Sequence, residues 1–115
     1  MYSTPANIKV FHALKSILQP YENLMNILVD QEDCYYLEFF GRPGVAPRLF
    51  AAVQMRTNYV SLHLACLKSC EELPETCSKQ LRNYYIGNGQ FQVQKVGEKL
   101  LRELRQMVKQ SVQVN

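Results

Sequence analysis

The sequence predicts a single α+β domain, with an antiparallel sheet of about five strands and helices packed mainly on one face of it. Its 115 residues, 47% of them hydrophobic, are enough to bury one core. Apolar residues recur at helical spacing near both ends of the chain, whereas the middle alternates between apolar and polar residues. We therefore predict helix, four strands, helix, strand and helix in one domain over residues 1–115, with tails at 1–6 and 112–115.

The first predicted element is an amphipathic helix over residues 7–19. Val10, Leu14 and Ile17 fall on one face at helical spacing. Asn7 is a residue type suited to the N-cap. Pro20 ends the helix, because the residue before a proline avoids the α conformation.

The first strand pair is predicted to join residues 24–29 to residues 34–40. The polar run at 30–33 supplies the turn between them. The tyrosines and phenylalanines of the second segment favour a strand. Simple alternation in the first segment groups three apolar residues on one side: Met25, Ile27 and Val29.

The second strand pair follows a loop at 41–47, where two prolines and two glycines exclude regular structure. It joins residues 49–55 to residues 59–67 across a two-residue turn at 57–58. This turn fixes the register. It places Arg56 opposite Tyr59, Gln54 opposite Ser61, and Ala52 opposite His63.

The last third of the chain is predicted to begin with a connection over 68–77 and a short helix over 79–86, capped by Ser78. A turn at 87–89 and a strand at 90–94 follow. The final helix covers about 97–112, because its leucines, methionine and valine form one apolar stripe opposite a basic side.

The strand after the second turn has two chemically different faces, because side chains alternate across a strand. Val60, Leu62 and Leu64 point to the core. The other face mixes aromatic, cationic and imidazole groups, a combination suited to a pocket or a subunit contact. Its candidate residues are Gln54, Arg56, Tyr59, Ser61 and His63, with Tyr36 and Glu38 as neighbours. In the alternative interpretation, the loop at 41–47 half-buries Tyr59 and His63.

Several segments resemble the YdhG-like domains of unknown function. Residues 58–64, NYVSLHL, are similar to that family's KYVSFHL strand, and residues 50–56, FAAVQMR, to its FFGAVRI strand. Residues 78–93 resemble its helix followed by G-K-x-x-F-x-F, with Asn88 in place of the lysine. The resemblance extends from about residue 8 to residue 108. It implies a small antiparallel sheet flanked by helices and no particular reaction, although some relatives are described as frataxin-like iron chaperones.

We interpret the chain as a non-enzymatic binding domain without a cofactor. Its polar and aromatic sheet face would contact a small ligand, a protein partner or a second subunit in a homodimer. The alternative that follows from the resemblance is a frataxin-like iron-binding protein. Iron delivery requires clustered carboxylates, and the turn offers Asp30, Glu32 and Asp33 as weak candidate ligands. We otherwise expect no metal site.

A hydrolase is the less favoured alternative. Ser61 and His63 lie two residues apart on one strand, and Glu38 is the carboxylate available to orient the imidazole. The sequence has neither G-x-S-x-G nor H-E-x-x-H, and it has no phosphate-cradling glycine loop. We therefore assign no catalytic residue.

Charge is distributed unevenly along the chain. Residues 1–41 carry two basic and five acidic side chains, whereas residues 42–115 carry eleven basic and five acidic ones. The basic side of the final helix lacks interleaved aromatic residues, so we interpret it as a solvated helix face and not as a nucleic-acid site. That side comprises Lys99, Arg102, Arg105 and Lys109.

The remaining features concern location and redox state. No run of about 18 apolar residues spans a bilayer, and the first residues lack the pattern of a signal peptide, so we expect a cytoplasmic protein. The four cysteines are not arranged as two close pairs, which is the spacing of structural zinc sites. We expect reduced, metal-free thiols at Cys34, Cys66, Cys70 and Cys77.

Overall fold

The computed structural model describes residues 5–41, 43–67 and 77–114. Over these residues the prediction of an α+β domain is confirmed, with one antiparallel sheet and three α-helices. The elements, in chain order, are α1 (Pro5–Leu18), β1 (Met25–Gln31), β2 (Cys34–Phe39), β3 (Arg48–Met55), β4 (Val60–Leu64), α2 (Lys79–Tyr84), β5 (Tyr85–Gly87), β6 (Gln90–Val93) and α3 (Glu98–Val114). Short 3-10 helices follow α1 at Gln19–Leu24 and β4 at Ala65–Leu67.

The sheet has six strands in the order β1-β2-β3-β4-β6-β5, where about five were expected. The additional strand is β5. The predicted helix over 79–86 ends at Tyr84 instead, and Tyr85 pairs with Phe91 across a hairpin. The turn of this hairpin is Asn88-Gly89, with φ values of 57° and 80°. Two consecutive residues with positive φ make the tight turn that matches the twist of paired strands, so the chain continues as sheet.

The first helix begins earlier than predicted and uses Asn7 differently. Its described part begins at Pro5, two residues before Asn7. Asn7 therefore lies inside the helix and is not its N-cap. Its side chain is only 5% exposed, and Nδ2 donates to the carbonyl oxygens of Arg56 at 3.1 Å and Thr57 at 3.2 Å. Asn7 thus fastens α1 to the turn between β3 and β4.

The described residues of both predicted tails are helical. The helix α1 includes residues 5 and 6, which were predicted to lie in the N-terminal tail. The helix α3 continues to Val114 and so includes residues 112–114 of the predicted C-terminal tail. Residues 112–114 contain neither glycine nor proline, so no helix-breaking residue interrupts α3 there.

The core lies between the helices and one face of the sheet. From the predicted core set, Leu14, Ile17, Val60, Leu62, Leu64, Leu81, Phe91 and Leu104 are buried, and Leu101 is half-buried against them. The helix α1 packs against β3, β4 and α3. Lys15 of α1 also reaches across to Asp30 of β1 at 2.7 Å, which places the helices over the same face of the sheet.

The short helix α2 is anchored to α3 through its N-terminus. The Ser78 hydroxyl accepts from the backbone N–H of Leu81 at 3.2 Å, which confirms the predicted cap. The Ser78 backbone N–H in turn donates to Glu103 Oε2 at 2.8 Å. Burial alone would raise the pKa of Glu103, but the hydrogen bonds from Ser78 and the nearby Lys99 charge hold it below its usual range.

The register of β3 and β4 matches the prediction: Ala52 pairs with His63 and Gln54 with Ser61. In β1, by contrast, simple alternation is wrong. A bulge between Ile27 and Val29 leaves Leu28 unpaired, so Val29 moves to the face of the sheet away from the helices. Ile27 and Leu28 are consequently exposed, at 46% and 49%.

Candidate binding surface on the open sheet face

The face of the sheet away from α1 and α3 carries the candidate residues, and we call it the open face. Among the described residues, no helix lies over it. Strand pairing arranges its side chains in rows that run across the strands. The central row is Val29, Tyr36, Ala52, His63 and Gln90, and the next row is Gln31, Cys34, Gln54, Ser61 and Gln92.

The central row brings two predicted residues to either side of an alanine. Tyr36 and His63 both pair with Ala52, and both are half-buried. Ala52 is only 9% exposed, since the larger side chains beside it shield its methyl group. The centre of the open face is therefore a small methyl group between two aromatic side chains, and the neighbouring rows are polar.

The second row gathers neutral hydrogen-bonding groups at one end of the face. Arg56 Nη2 donates to Gln54 Oε1 at 2.6 Å, and Ser61 pairs with Gln54 in the sheet. Burial, followed by a side-chain hydrogen bond with Cys34, raises the pKa of Tyr36, and the Arg56 charge partly opposes this rise. Tyr36, Cys34 and Arg56 thus act on one another electrostatically.

Tyr59 belongs to the same end of the face, and the described residues of the loop at 41–47 lie at the other end. Tyr59 follows the turn after β3 and lies opposite Arg56, whose N–H donates to the Tyr59 carbonyl oxygen at 2.9 Å. The loop connects the end of β2 to the start of β3, at the other end of these strands. Tyr59 is half-buried through its neighbours in the sheet.

Glu38 occupies the opposite end of the open face, with Asn26 and Leu49 as its strand partners. Asn26 Nδ2 donates to Glu38 Oε1 at 3.3 Å. Glu38 is two strands and one row away from His63, a separation of about 12 Å at usual strand spacings. Glu38 thus accepts from Asn26 at one end of the open face, whereas Ser61 lies beyond His63 towards the other end.

Of the three carboxylates in the first turn, Asp30, Glu32 and Asp33, the structure engages that of Asp30 in an ion pair. Asp30 forms its ion pair with Lys15, and the Asp33 carbonyl accepts from the Met55 N–H at 2.8 Å. Residues 5–41, 43–67 and 77–114 contain no group of three His, Cys, Asp or Glu side chains that could hold a metal ion. Cys34 and Cys77 are free thiols, Cys70 lies outside the described residues, and the Cys66 side chain is not described either.

The sequence predicted seven residues of this face, including Tyr36 and His63 of the central row. It did not assign a role to Ala52 between them, or include Val29, Gln90 and Gln92 on β1 and β6. The alternation of glutamines in residues 90–94 could have indicated Gln90 and Gln92. Val29 had no such signal, because its position depends on the bulge.

Comparison with known proteins yields no match among family models, curated proteins or solved structures. Within the described part of the chain, no helix is long and apolar enough to cross a membrane.

Proposed function

We propose that this chain is a non-enzymatic, cytoplasmic binding domain of the YdhG-like kind, and that its open face contacts the open face of a second copy. The observation that carries the proposal is the composition of the central row. Tyr36, Ala52 and His63 form an apolar and aromatic strip on a face that no described helix covers. Interface centres favour aromatic residues and few charges.

The shape of the open face favours a flat partner over a small molecule. A sheet face without a covering element offers no walls to enclose a ligand, whereas ligand sites bury most of the ligand surface. Two sheets stack face to face at about 10 Å, with their side chains interdigitating.

The charges of the open face make it complementary to itself. Arg56 lies at one end, beyond Gln54, and Glu38 lies at the other end, beside Leu49. A two-fold axis along the central row brings the Arg56 end of one copy over the Glu38 end of the other. Such an isologous contact forms two equivalent ion pairs and closes the assembly as a dimer.

The test is the molar mass in solution, measured by light scattering over a range of concentrations. The wild type is expected to be a dimer. Arg56→Glu places like charges at both ends of the contact and should yield a monomer. The double variant Arg56→Glu with Glu38→Arg exchanges the charges and should restore the dimer.

The matched control is Gln110→Glu, which adds one negative charge on an exposed position of α3 and should remain a dimer. His63→Glu places two carboxylates near the two-fold axis and should be monomeric. A monomeric wild type at millimolar concentration contradicts the proposal. So does a dimer that persists in Arg56→Glu and His63→Glu alike.

A further inference from the structure

A second feature lies on the helix side of the molecule, away from the open face. A surface pocket of about 270 Å³ opens between the end of α1, the 3-10 helix that follows it, and α3. One wall carries Arg102, Arg105 and Lys109 of α3, and the other carries Ile17, Pro20 and Tyr21. The two walls therefore differ in chemistry, the first being cationic and the second apolar.

The cationic wall is not neutralised by any residue in the described ranges 5–41, 43–67 and 77–114. Arg102, Arg105 and Lys109 are spaced three and four residues apart, which places them side by side on one helix face. None of them forms an ion pair or a hydrogen bond with any residue that the structure describes. Like charges at this spacing repel one another, so an anion bound between them would relieve the repulsion.

Glu22 and Glu103, the two carboxylates directly next to pocket residues in sequence, are engaged elsewhere. Glu22 accepts the hydroxyl hydrogen of Tyr35 in a short hydrogen bond. Glu103, next to Arg102, accepts from Ser78 on the opposite side of α3. No carboxylate is among the residues that line the pocket.

The apolar wall is held in place by the core. Ile17 is 5% exposed, and the Tyr21 ring packs edge-on against Phe50 with its centroid 6.3 Å away. Tyr21 thus presents a fixed, half-buried aromatic group beside the three cations. The sequence predicted that the basic side of α3 is simply exposed to solvent. That prediction did not include the apolar wall, because Ile17, Pro20 and Tyr21 lie about eighty residues earlier in the chain.

We propose that this pocket binds a small phosphate monoester that carries a flat apolar group. Two guanidinium groups and an ammonium group match a dianionic phosphate, because arginine forms paired hydrogen bonds to phosphate oxygens. The apolar group would lie against Ile17, Pro20 and Tyr21. The volume is near the lower end of the usual range for ligand pockets, which selects a small compound.

The pocket does not have the composition of a nucleic-acid groove. Grooves for single strands combine an extended basic track with several stacking aromatic residues. Here three cations face a single tyrosine and two aliphatic side chains. The observations therefore favour a compact anion over a polymer.

The experiment is an NMR titration of the wild-type chain with phenyl phosphate, followed through the amide signals of residues 16–21 and 102–109. Saturable shifts in both segments are expected. Inorganic phosphate and benzyl alcohol serve as separate probes of the two halves of the ligand, and each should bind more weakly than phenyl phosphate.

The test variant is Arg102→Gln with Arg105→Gln, which removes both positive charges and leaves a shorter, neutral polar side chain at each position. It should weaken the binding of phenyl phosphate by about tenfold or more, the effect of losing charged hydrogen bonds. The matched control is Arg82→Gln with Lys99→Gln, which removes two charges outside the pocket and should leave the affinity within about twofold, because neither removed charge contacts the bound phosphate.

Four results would overturn the proposal. The first is the absence of saturable shifts, and the second is an equal loss of affinity in both double variants, which would indicate a nonspecific charge effect. The third is a duplex DNA that binds more tightly than phenyl phosphate and loses affinity in both variants, which would assign the basic surface to nucleic acid. The fourth is inorganic phosphate that binds as tightly as phenyl phosphate, which would mean that the apolar wall does not contribute to ligand binding.

Discussion

The two faces of β4 differ sharply although they are made by five consecutive residues. Val60, Leu62 and Leu64 are at most 2% exposed beneath the helices. Ser61 and His63 are half-buried on the open face, where they pair with Gln54 and Ala52. The two faces of one strand therefore have different roles. The buried face stabilises the fold, and the open face is available to contact a partner.

The comparison is tested most strongly by truncating one residue on each face. Leu62→Ala should lower the free energy of unfolding by about 2–5 kcal/mol, because it leaves a cavity in a closely packed core. His63→Ala, next to it, should change the same quantity by less than about 1 kcal/mol. Denaturant unfolding measures both under conditions where the chain is monomeric.

Equal losses in the two variants would mean that β4 is covered on both faces. The comparison would then be wrong, and with it the description of an open face. A small loss in Leu62→Ala alone would instead mean that the core relaxes around the cavity.

Asn7 connects α1, on the helix side of the sheet, to the β3–β4 turn beside Arg56 of the open face. Its substitution therefore tests how the two sides of the molecule are joined. Asn7→Ala should lower the free energy of unfolding by about 1–3 kcal/mol, because two hydrogen bonds at a nearly buried site are lost. His12→Ala is the matched control, since His12 is an exposed position of the same helix. Thermal or denaturant unfolding compares them, and equal effects in both variants would contradict the role assigned to Asn7.

The smallest expected effect is a pH-dependent change in the free energy of unfolding when Glu103 of α3 is substituted. The folded pKa of Glu103 lies below its usual range, so its contribution is present at neutral pH and is lost as the pH falls below about 4. Glu103→Gln should therefore be less stable than the wild type at pH 7, by about 0.5–1 kcal/mol. The difference should shrink as the pH falls below the ordinary glutamate pKa and disappear below the lowered pKa of folded Glu103.

The measurement is denaturant unfolding at several pH values, with Glu98→Gln as the control because Glu98 is exposed on the same helix. A gap between wild type and Glu103→Gln that is independent of pH would contradict the assigned role of the carboxylate. The His63→Ala variant should follow the wild type over the same acid range, which separates the helix layer from the open face.

The parts of the fold that the sequence predicted well are those governed by neighbours along the chain. The β3–β4 register followed from a two-residue turn, and the buried set in β4 followed from alternation. Ser78 capped α2 as its residue type favours. In each case the interaction joins residues within a few positions of one another, or within one hairpin, so local pattern was sufficient.

The missed elements show where local pattern is ambiguous. Asn88-Gly89 is a strong hairpin signal, but Tyr84 and Tyr85 also continue a helical stripe, and only pairing with β6 decides between the two. Asn7 is favoured at an N-cap, yet contacts about fifty residues away place it inside a helix. The bulge in β1 likewise depends on its pairing with β2.

By itself, the sequence determined the α+β class, the core face of β4 and the polar character of the face behind it. Those properties follow from periodicity, because alternation and helical spacing are written residue by residue. Only the tertiary structure decided that Tyr36 and His63 flank Ala52, that Glu38 lies far from His63, and that Tyr21 faces Arg102 and Arg105. Each of these joins segments distant in sequence, whose alignment is set by strand order and helix packing and by no pattern within either segment.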